Sequence, residues 1–245
     1  MTTTPRLPIP RAILFDLDGT LADTAPDLAG AVNRLRSARG LSVAPYEKLR
    51  PFASAGARGL IGAAFGLKPG DEDYEALRVA FLDNYEQAMA VESRLFEGVV
   101  TLLQGLQELN LQWGIVTNKA ARFTDPLVPQ IGLGHAGCVV SGDTTSHSKP
   151  HPAPLLEGAR RLGLEPGHCW YVGGDLRDIQ AGQAGGTPTG AAAWGDTRAA
   201  RAPGSPPAPP AWGFCGDPAG PASWNADALA TRPLELLEII SCART

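Results

Sequence analysis

The chain has 245 residues, 44% of them apolar and 19% charged, with a formal net charge of −4; that describes a globular protein long enough for one large domain or a core with a smaller companion. The mild negative charge, without any basic run, excludes general attraction to nucleic acid or anionic lipid, and no segment reaches the apolar length of a signal peptide or a membrane span. The cysteines Cys138, Cys169, Cys215 and Cys242 lack metal or redox spacing and read as reduced thiols, so the expected compartment is the cytoplasm.

The first element in the chain organises the rest. Ala12, Ile13, Leu14 and Phe15 form an apolar run of the kind that makes a strand buried on both faces, and Asp16 and Asp18 fall where it stops. In an open α/β sheet the carboxyl ends of the strands face the ligand crevice, so these acids are expected to point there. Gly19 lets the chain turn sharply, and Thr20 offers a hydroxyl and an amide. Two readings stay open at this point: a strand ending in an ordinary Asp-Gly turn, or a nucleophilic Asp16 with Asp18 as its acid/base partner. A calcium loop is set aside, because it requires glycine at the sixth position, where Leu21 stands, and a helix in front.

After Thr24 the character changes. Pro26 suits a first helical turn, and Leu28, Ala31, Val32 and Leu35 recur at helical spacing until Gly40. Pro45, Pro51, Gly56, Gly59 and Gly62 break up the next stretch, placing Arg58 in a loop between glycines, and Tyr74, Leu77, Phe81 and Tyr85 mark a second amphipathic helix. No strand pattern appears before Val91, so 24–91 reads as a helical insertion able to lie over the crevice as a lid. Strand and helix then alternate. A helix over 99–109 is followed by a strand over 112–117 that ends in Thr117-Asn118-Lys119, and by a helix over 123–131 that Pro126 and Pro129 shorten or kink. Val139 and Val140 make a short strand, and Leu155, Leu156, Ala159 and Leu162 give a helical face. A strand over 168–173, a helix over 176–184 and a closing helix over 233–240 complete the pattern.

Such alternation implies parallel strands with right-handed crossovers, so that every strand ends on the edge where Asp16 lies. Thr117, Lys149, Asp175 and Asp178 all follow a strand or precede a helix and can converge there. Each has an ordinary structural role as well: Thr117-Asn118 as a turn, Lys149 as a solvated loop residue, Asp175 as a helix N-cap and Asp178 as a first-turn acid. Their conjunction favours chemistry. A phosphate charge brought within 4 Å of a carboxylate meets a repulsion of roughly 4 kcal/mol per unit-charge pair at an effective dielectric of ~20. Attack by Asp16 therefore needs positive charge, from Lys149 and from a Mg²⁺ ion held by the acids.

In Phe15-Asp-Leu-Asp-Gly-Thr20, Val116-Thr-Asn-Lys119, Lys149-Pro-His-Pro152 and Val172-Gly-Gly-Asp-Leu-Arg-Asp178 the chain resembles the haloacid dehalogenase-like phosphohydrolases, over nearly its whole length. Within them it is most similar to bacterial phosphoglycolate phosphatases and N-acetylmuramate 6-phosphate phosphatases. The resemblance implies a doubly wound, Rossmann-like parallel-sheet core over 1–23 and 92–245, with a helical cap over 24–91. It implies a Mg²⁺-dependent phosphatase acting on a small-molecule phosphate ester, most of all phosphoglycolate, as a monomer or homodimer. Asp16 would be the nucleophile forming an aspartyl-phosphate, and Asp18 the general acid/base. Thr117 and Asn118 would contact the phosphoryl group, and Lys149 would neutralise it. Asp16, the Asp18 backbone carbonyl, Asp175 and Asp178 would bind the metal, and Arg58 would meet the substrate carboxylate. The resemblance also raises a sugar-phosphate mutase, a dehalogenase, against which Asp18 argues, and a non-catalytic phosphate-binding protein. The last arises because the family pattern expects an acid at position 174, where this chain has Gly174. The Ala/Pro-rich stretch 196–211 reads as a flexible surface insertion.

Overall fold

The computed structural model describes residues 7–194 and 220–244; the stretch 196–211 lies outside them. Strand β1 (Ala12–Phe15) leads through a two-residue strand β2 (Ala22–Asp23) into helices α1 (Ala25–Ser37), α2 (Tyr46–Leu49), a 3-10 segment (Arg50–Ala55), α3 (Gly56–Phe65) and α4 (Tyr74–Glu86). A second short strand, β3 (Arg94–Leu95), returns the chain to the core. There α5 (Val99–Glu108), β4 (Gln112–Val116), α6 (Ala121–Gln130), β5 (Val139–Val140), α7 (Ala153–Arg161), β6 (Cys169–Gly173), α8 (Leu176–Gly185), β7 (Thr189–Ala192), β8 (Ala228–Ala230) and α9 (Pro233–Arg244) follow.

The main sheet has the order β5-β4-β1-β6-β7-β8, and its neighbouring strands run parallel. From β1 the chain builds outward on one side through β4 and β5, then crosses back to β6 on the other. β1 is therefore the topological switch point, the place where an open α/β sheet leaves a crevice beyond its strand ends. Side-chain alternation sorts the core into two layers. Ile13, Phe15, Ile115, Trp170 and Val172 meet α5 and α9 on one face, while Leu14, Val116, Tyr171, Leu155 and Ala181 pack on the other, beneath α7 and α8. Among the described residues no helix is long and apolar enough to cross a membrane.

The helices from α1 to α4 form the expected cap. Leu28, Val32 and Leu35 of α1 belong to one buried cluster with Leu60, Ile61, Leu77 and Phe81 of α3 and α4. β2 and β3 pair antiparallel, Ala22 with Leu95 and Asp23 with Arg94, so the chain enters and leaves the cap side by side. Buried Asp27 fixes the exit: its carboxylate accepts the backbone N–H groups of Glu92 and Ser93 at 3.0 and 2.8 Å and the Ser93 hydroxyl at 2.7 Å. Two expectations need correction. The stretch around Gly56, Gly59 and Gly62 is the helix α3 and not a loop, because its small residues allow close packing: a Cβ at Gly59 would stand 2.6 Å from the Phe52 carbonyl. Helix α6 runs through Pro126 and stops one residue after Pro129. The short strands β2, β3, β7 and β8 had too little apolar pattern to be read from sequence.

Candidate active site

The strand ends deliver the acids as expected. Asp16 follows β1 and is buried, with its backbone N–H donating to the Val172 carbonyl of β6 at 2.9 Å. Lys149 arrives from the segment after β5 and places its ammonium 2.8 Å from Asp16 Oδ1 and 2.7 Å from Asp178 Oδ1. It also lies 2.7 Å from the Tyr171 hydroxyl and 3.0 Å from the Val116 carbonyl. The three ammonium hydrogens meet this set if they go to the two acids and Tyr171, whose own hydrogen passes to the Val116 carbonyl at 2.9 Å. Lys149 is then held from every side, and Asp16 Oδ2 has no hydrogen-bond partner among the described residues.

These contacts set the electrostatics. Burial pushes the Asp16 carboxyl up to about 7, Asp178 and Asp18 add to the rise, and the Lys149 ammonium opposes it. For Lys149 burial acts downward, but Asp16 and Asp178 outweigh it and hold the ammonium above its ordinary range. Tyr171 is driven well above its ordinary value by burial and the neighbouring acids.

A second acid and cation pair stands beside the first. Asp18 Oδ1 accepts from the Thr24 hydroxyl and lies 3.1 Å from the ammonium of Lys119. That ammonium also donates to the Tyr85 hydroxyl of the cap at 3.0 Å and sits 4.6 Å from the centre of the Tyr85 ring. Sequence reasoning assigned Lys119 no role, although a cation next to a strand-end Thr-Asn was the available signal. Thr117 is buried, with its hydroxyl accepting the Lys119 backbone N–H at 3.1 Å. Asn118 spans the Lys149 backbone, donating to its carbonyl and accepting its N–H, each at 2.9 Å. Its side chain thus fixes the loop that carries Lys149.

The fourth motif behaves differently. Asp175 caps α8, accepting the Arg177 N–H at 2.9 Å while Asp178 Oδ2 accepts the Asp175 N–H at 3.0 Å; the two form a capping box. The Arg177 guanidinium grips both Asp175 oxygens at 2.8 and 2.7 Å and donates to the Ser54 carbonyl of the cap at 3.0 Å. Burial works to raise the Asp175 carboxyl, but Arg177 outweighs it and holds it below the ordinary carboxylate value.

This arrangement leaves few ligands for a cation. Asp175 turns to Arg177, and Asp178 has both oxygens engaged. A Cβ at Gly174 would stand 2.9 Å from the Gly19 carbonyl and 3.3 Å from Thr20 Oγ1. That hydroxyl is buried without a hydrogen-bond partner, a situation costing about 1–3 kcal/mol. Among the described residues no group of three or more His, Cys, Asp or Glu side chains is arranged to hold a metal. The residues present do not make the expected four-residue set.

Above the acids lies a cavity of about 410 Å³. Its floor includes Asp16, Lys149 and Arg177, and its roof the cap residues Arg78, Phe81 and Tyr85. Arg58 is not part of it: it sits on α3 and is exposed, because the helix begins at Gly56 and turns that position away, leaving Gly56 and Ala57 on the lining.

Comparison with known proteins agrees with this geometry. The family described as haloacid dehalogenase-like hydrolase matches residues 13–192. The chain is 38% identical to an N-acetylmuramic acid 6-phosphate phosphatase of Pseudomonas putida, over 95% of this chain and 97% of that protein. It is 41% identical to a phosphoglycolate phosphatase of Xanthomonas campestris pv. campestris, over 94% and 96%. A "predicted phosphoglycolate phosphatase" of Haemophilus somnus 129pt shares the fold, with a TM-score of 0.76 at 23% identity, over 98% of this chain and 99% of that one. With its acids on the switch-point strand and a helical cap above them, the chain belongs to the haloacid dehalogenase-like hydrolases, among the phosphatases of that family.

Proposed function

We propose that the protein hydrolyses a phosphomonoester through an aspartyl-phosphate at Asp16. The observation that carries this reading is a buried carboxylate at the switch-point strand end, clamped through one oxygen by Lys149 at 2.8 Å and leaving the other oxygen unpaired among the described residues. In the first step Asp16 Oδ2 forms a bond to phosphorus as the bond to the leaving alkoxide breaks, and Asp18 gives that alkoxide a proton. In the second, Asp18 takes a proton from water, the water oxygen bonds to phosphorus, and the bond from phosphorus to Asp16 breaks, releasing inorganic phosphate. Lys149 balances charge on the transferring group, and Asn118 keeps Lys149 in place. Phosphatases of this family generally use a divalent metal; with glycine at 174 and Asp175 gripped by Arg177, the acids of this site offer one a reduced donor set. The cap is assigned to 24–91 and the core to 1–23 and 92–245, on the ground that β2 and β3 pair where the two meet.

For the substrate we propose a sugar phosphate of the size of N-acetylmuramic acid 6-phosphate, on which the Pseudomonas relative acts. A cavity of about 410 Å³ walled by Leu28, Phe81, Leu82 and Phe123 falls within the ~300–1,000 Å³ of pockets that enclose drug-sized ligands. A two-carbon acid would leave most of it empty. Phosphoglycolate is the second reading, favoured by the Xanthomonas relative. Steady-state kcat/KM on the two esters and on an aryl phosphate separates them. A higher value for phosphoglycolate overturns the sugar assignment, and no hydrolysis of any of the three overturns the phosphatase.

A further inference from the structure

We propose that this site holds the phosphoryl group through its own cations and takes up a divalent cation only weakly, because Gly174 leaves the cation site one carboxylate short. The inference rests on the phosphatase reading and concerns what balances charge there. Directly after β6, position 174 faces the loop that carries Asp18: its absent Cβ would point at the Gly19 carbonyl and Thr20 Oγ1. Among the described residues the buried Thr20 hydroxyl beside that gap has no partner, as expected where an acceptor is missing. The next residue cannot replace it. Asp175 is committed to capping α8 and to Arg177, which in turn holds the cap at Ser54. Recruiting Asp175 to a cation would release that tie as well. Asp178 is committed to Lys149 and to the Asp175 N–H. What remains is Asp16, one of whose oxygens is on Lys149, and the neutral backbone carbonyl of Asp18. Mg²⁺ requires a nearly regular octahedron and is reluctant to shed its waters, so the loss of one anchoring carboxylate weakens its site.

The same substitution changes what a phosphate dianion meets. Among the residues lining the cavity Asp16, Asp18, Asp175 and Asp178 are matched by Arg78, Lys119, Lys149 and Arg177, with Arg78 also paired to Glu75 at 2.8 Å, so the lining is close to neutral before any cation enters. A fifth acid at 174 would tip the balance to negative and make phosphate binding depend on an added cation.

Calorimetric titration of the whole protein with inorganic phosphate, in EDTA and again in saturating Mg²⁺, tests this without reference to turnover. The expectation is that phosphate binds in EDTA and that Mg²⁺ changes its affinity by less than about threefold, with a correspondingly weak effect of phosphate on Mg²⁺. A phosphate affinity that rises about tenfold or more with Mg²⁺ overturns the inference while leaving the phosphatase intact. Absence of phosphate binding in both conditions overturns the phosphatase reading itself. Gly174→Asp is expected to create the dependence on Mg²⁺, and Gly174→Ala, which adds a Cβ without charge, to leave it absent. Melting curves report whether the contact with Gly19 unfolds either variant; the wild-type titration decides the matter regardless.

Discussion

The floor and the roof of the cavity are held by different means. On the floor, Asp16, Lys149, Asp178 and Tyr171 are buried and joined by bonds of 2.7 to 3.1 Å, on backbone anchored at adjacent strands. The roof is tied to the core through Lys119 to Tyr85 and Arg177 to Ser54, and through Arg122 to Asp83 and Glu86, where the side chains are 44%, 51% and 43% exposed. Exposed ion pairs of that kind contribute about 0–1 kcal/mol each. Breaking the Arg122 ties therefore costs little, whereas the Lys119–Tyr85 tie is buried and, like the floor, is costly to disturb. The difference teaches that the buried acids are held firmly while the outer rim of the cap is tied only lightly.

The comparison is tested hardest at the nucleophile. Asp16→Asn is expected to lower turnover of an aryl phosphate by at least ~10³-fold, the scale of removing an activated nucleophile, with an unchanged circular dichroism spectrum. Next comes Lys149→Met, which leaves Asp16 and Asp178 facing each other without their shared cation; urea denaturation should show a loss of about 3–5 kcal/mol. The pH profile follows from Asp16, whose carboxyl stands at about 7. Attack needs the ionised form, so kcat/KM should fall about tenfold per unit as pH drops below that value. Stability has the opposite sign. The folded state binds this proton more tightly than the unfolded chain, so the contribution of Asp16 is complete below 3.8 and lost as pH rises to about 7. The proposed nucleophile thus ionises over the window in which its charge weakens the fold. Tyr171→Phe removes one neighbour of Lys149 while the Val116 carbonyl remains at 3.0 Å, and a drop in kcat of roughly tenfold with little change in KM is expected. The roof responds least: Arg78→Ala should raise KM for an ester that also bears a carboxylate by ~3–10-fold and leave aryl phosphate kcat nearly unchanged, a loss of about 1 kcal/mol. Arg58→Ala should leave both alone. A cap variant that abolished aryl phosphate turnover would break the division between floor and roof.

The same division explains what the sequence disclosed. β1 was legible because a four-residue apolar run ending in two acids has few alternatives, and Lys149 because a site for phosphate needs a cation. α1 and α4 carried their period openly. α3 was obscured because Gly56, Gly59 and Gly62 are poor helix formers, and only packing against Phe52 explains why small residues stand there. The exposure of Arg58 depended on that helix and was lost with it. Asp175 could be read as an N-cap or as a metal ligand; in the folded chain it caps α8 and is gripped by Arg177, two residues on, a guanidinium contact that spacing alone does not reveal. Tyr171 went unmarked in the sequence because alternation places it on a buried face of β6, and only the arrival of Lys149 from the segment after β5 makes its hydroxyl matter.

The pairing of β2 with β3 has a further consequence. Ala22 and Leu95 are cross-strand partners, so the two ends of the helical insertion meet at one point on the surface of the core. In topological terms the cap is a side branch: its length is invisible to the sheet, and joining the ends with a short turn would preserve every strand crossover. Among the described residues no residue of that branch pairs with the main sheet, so changes in its length leave the register of β1 against β4 and β6 untouched. One rigid catalytic floor can consequently serve successive roofs, and selection for a new substrate can proceed in the branch while the reacting carboxylate stays where the sheet put it.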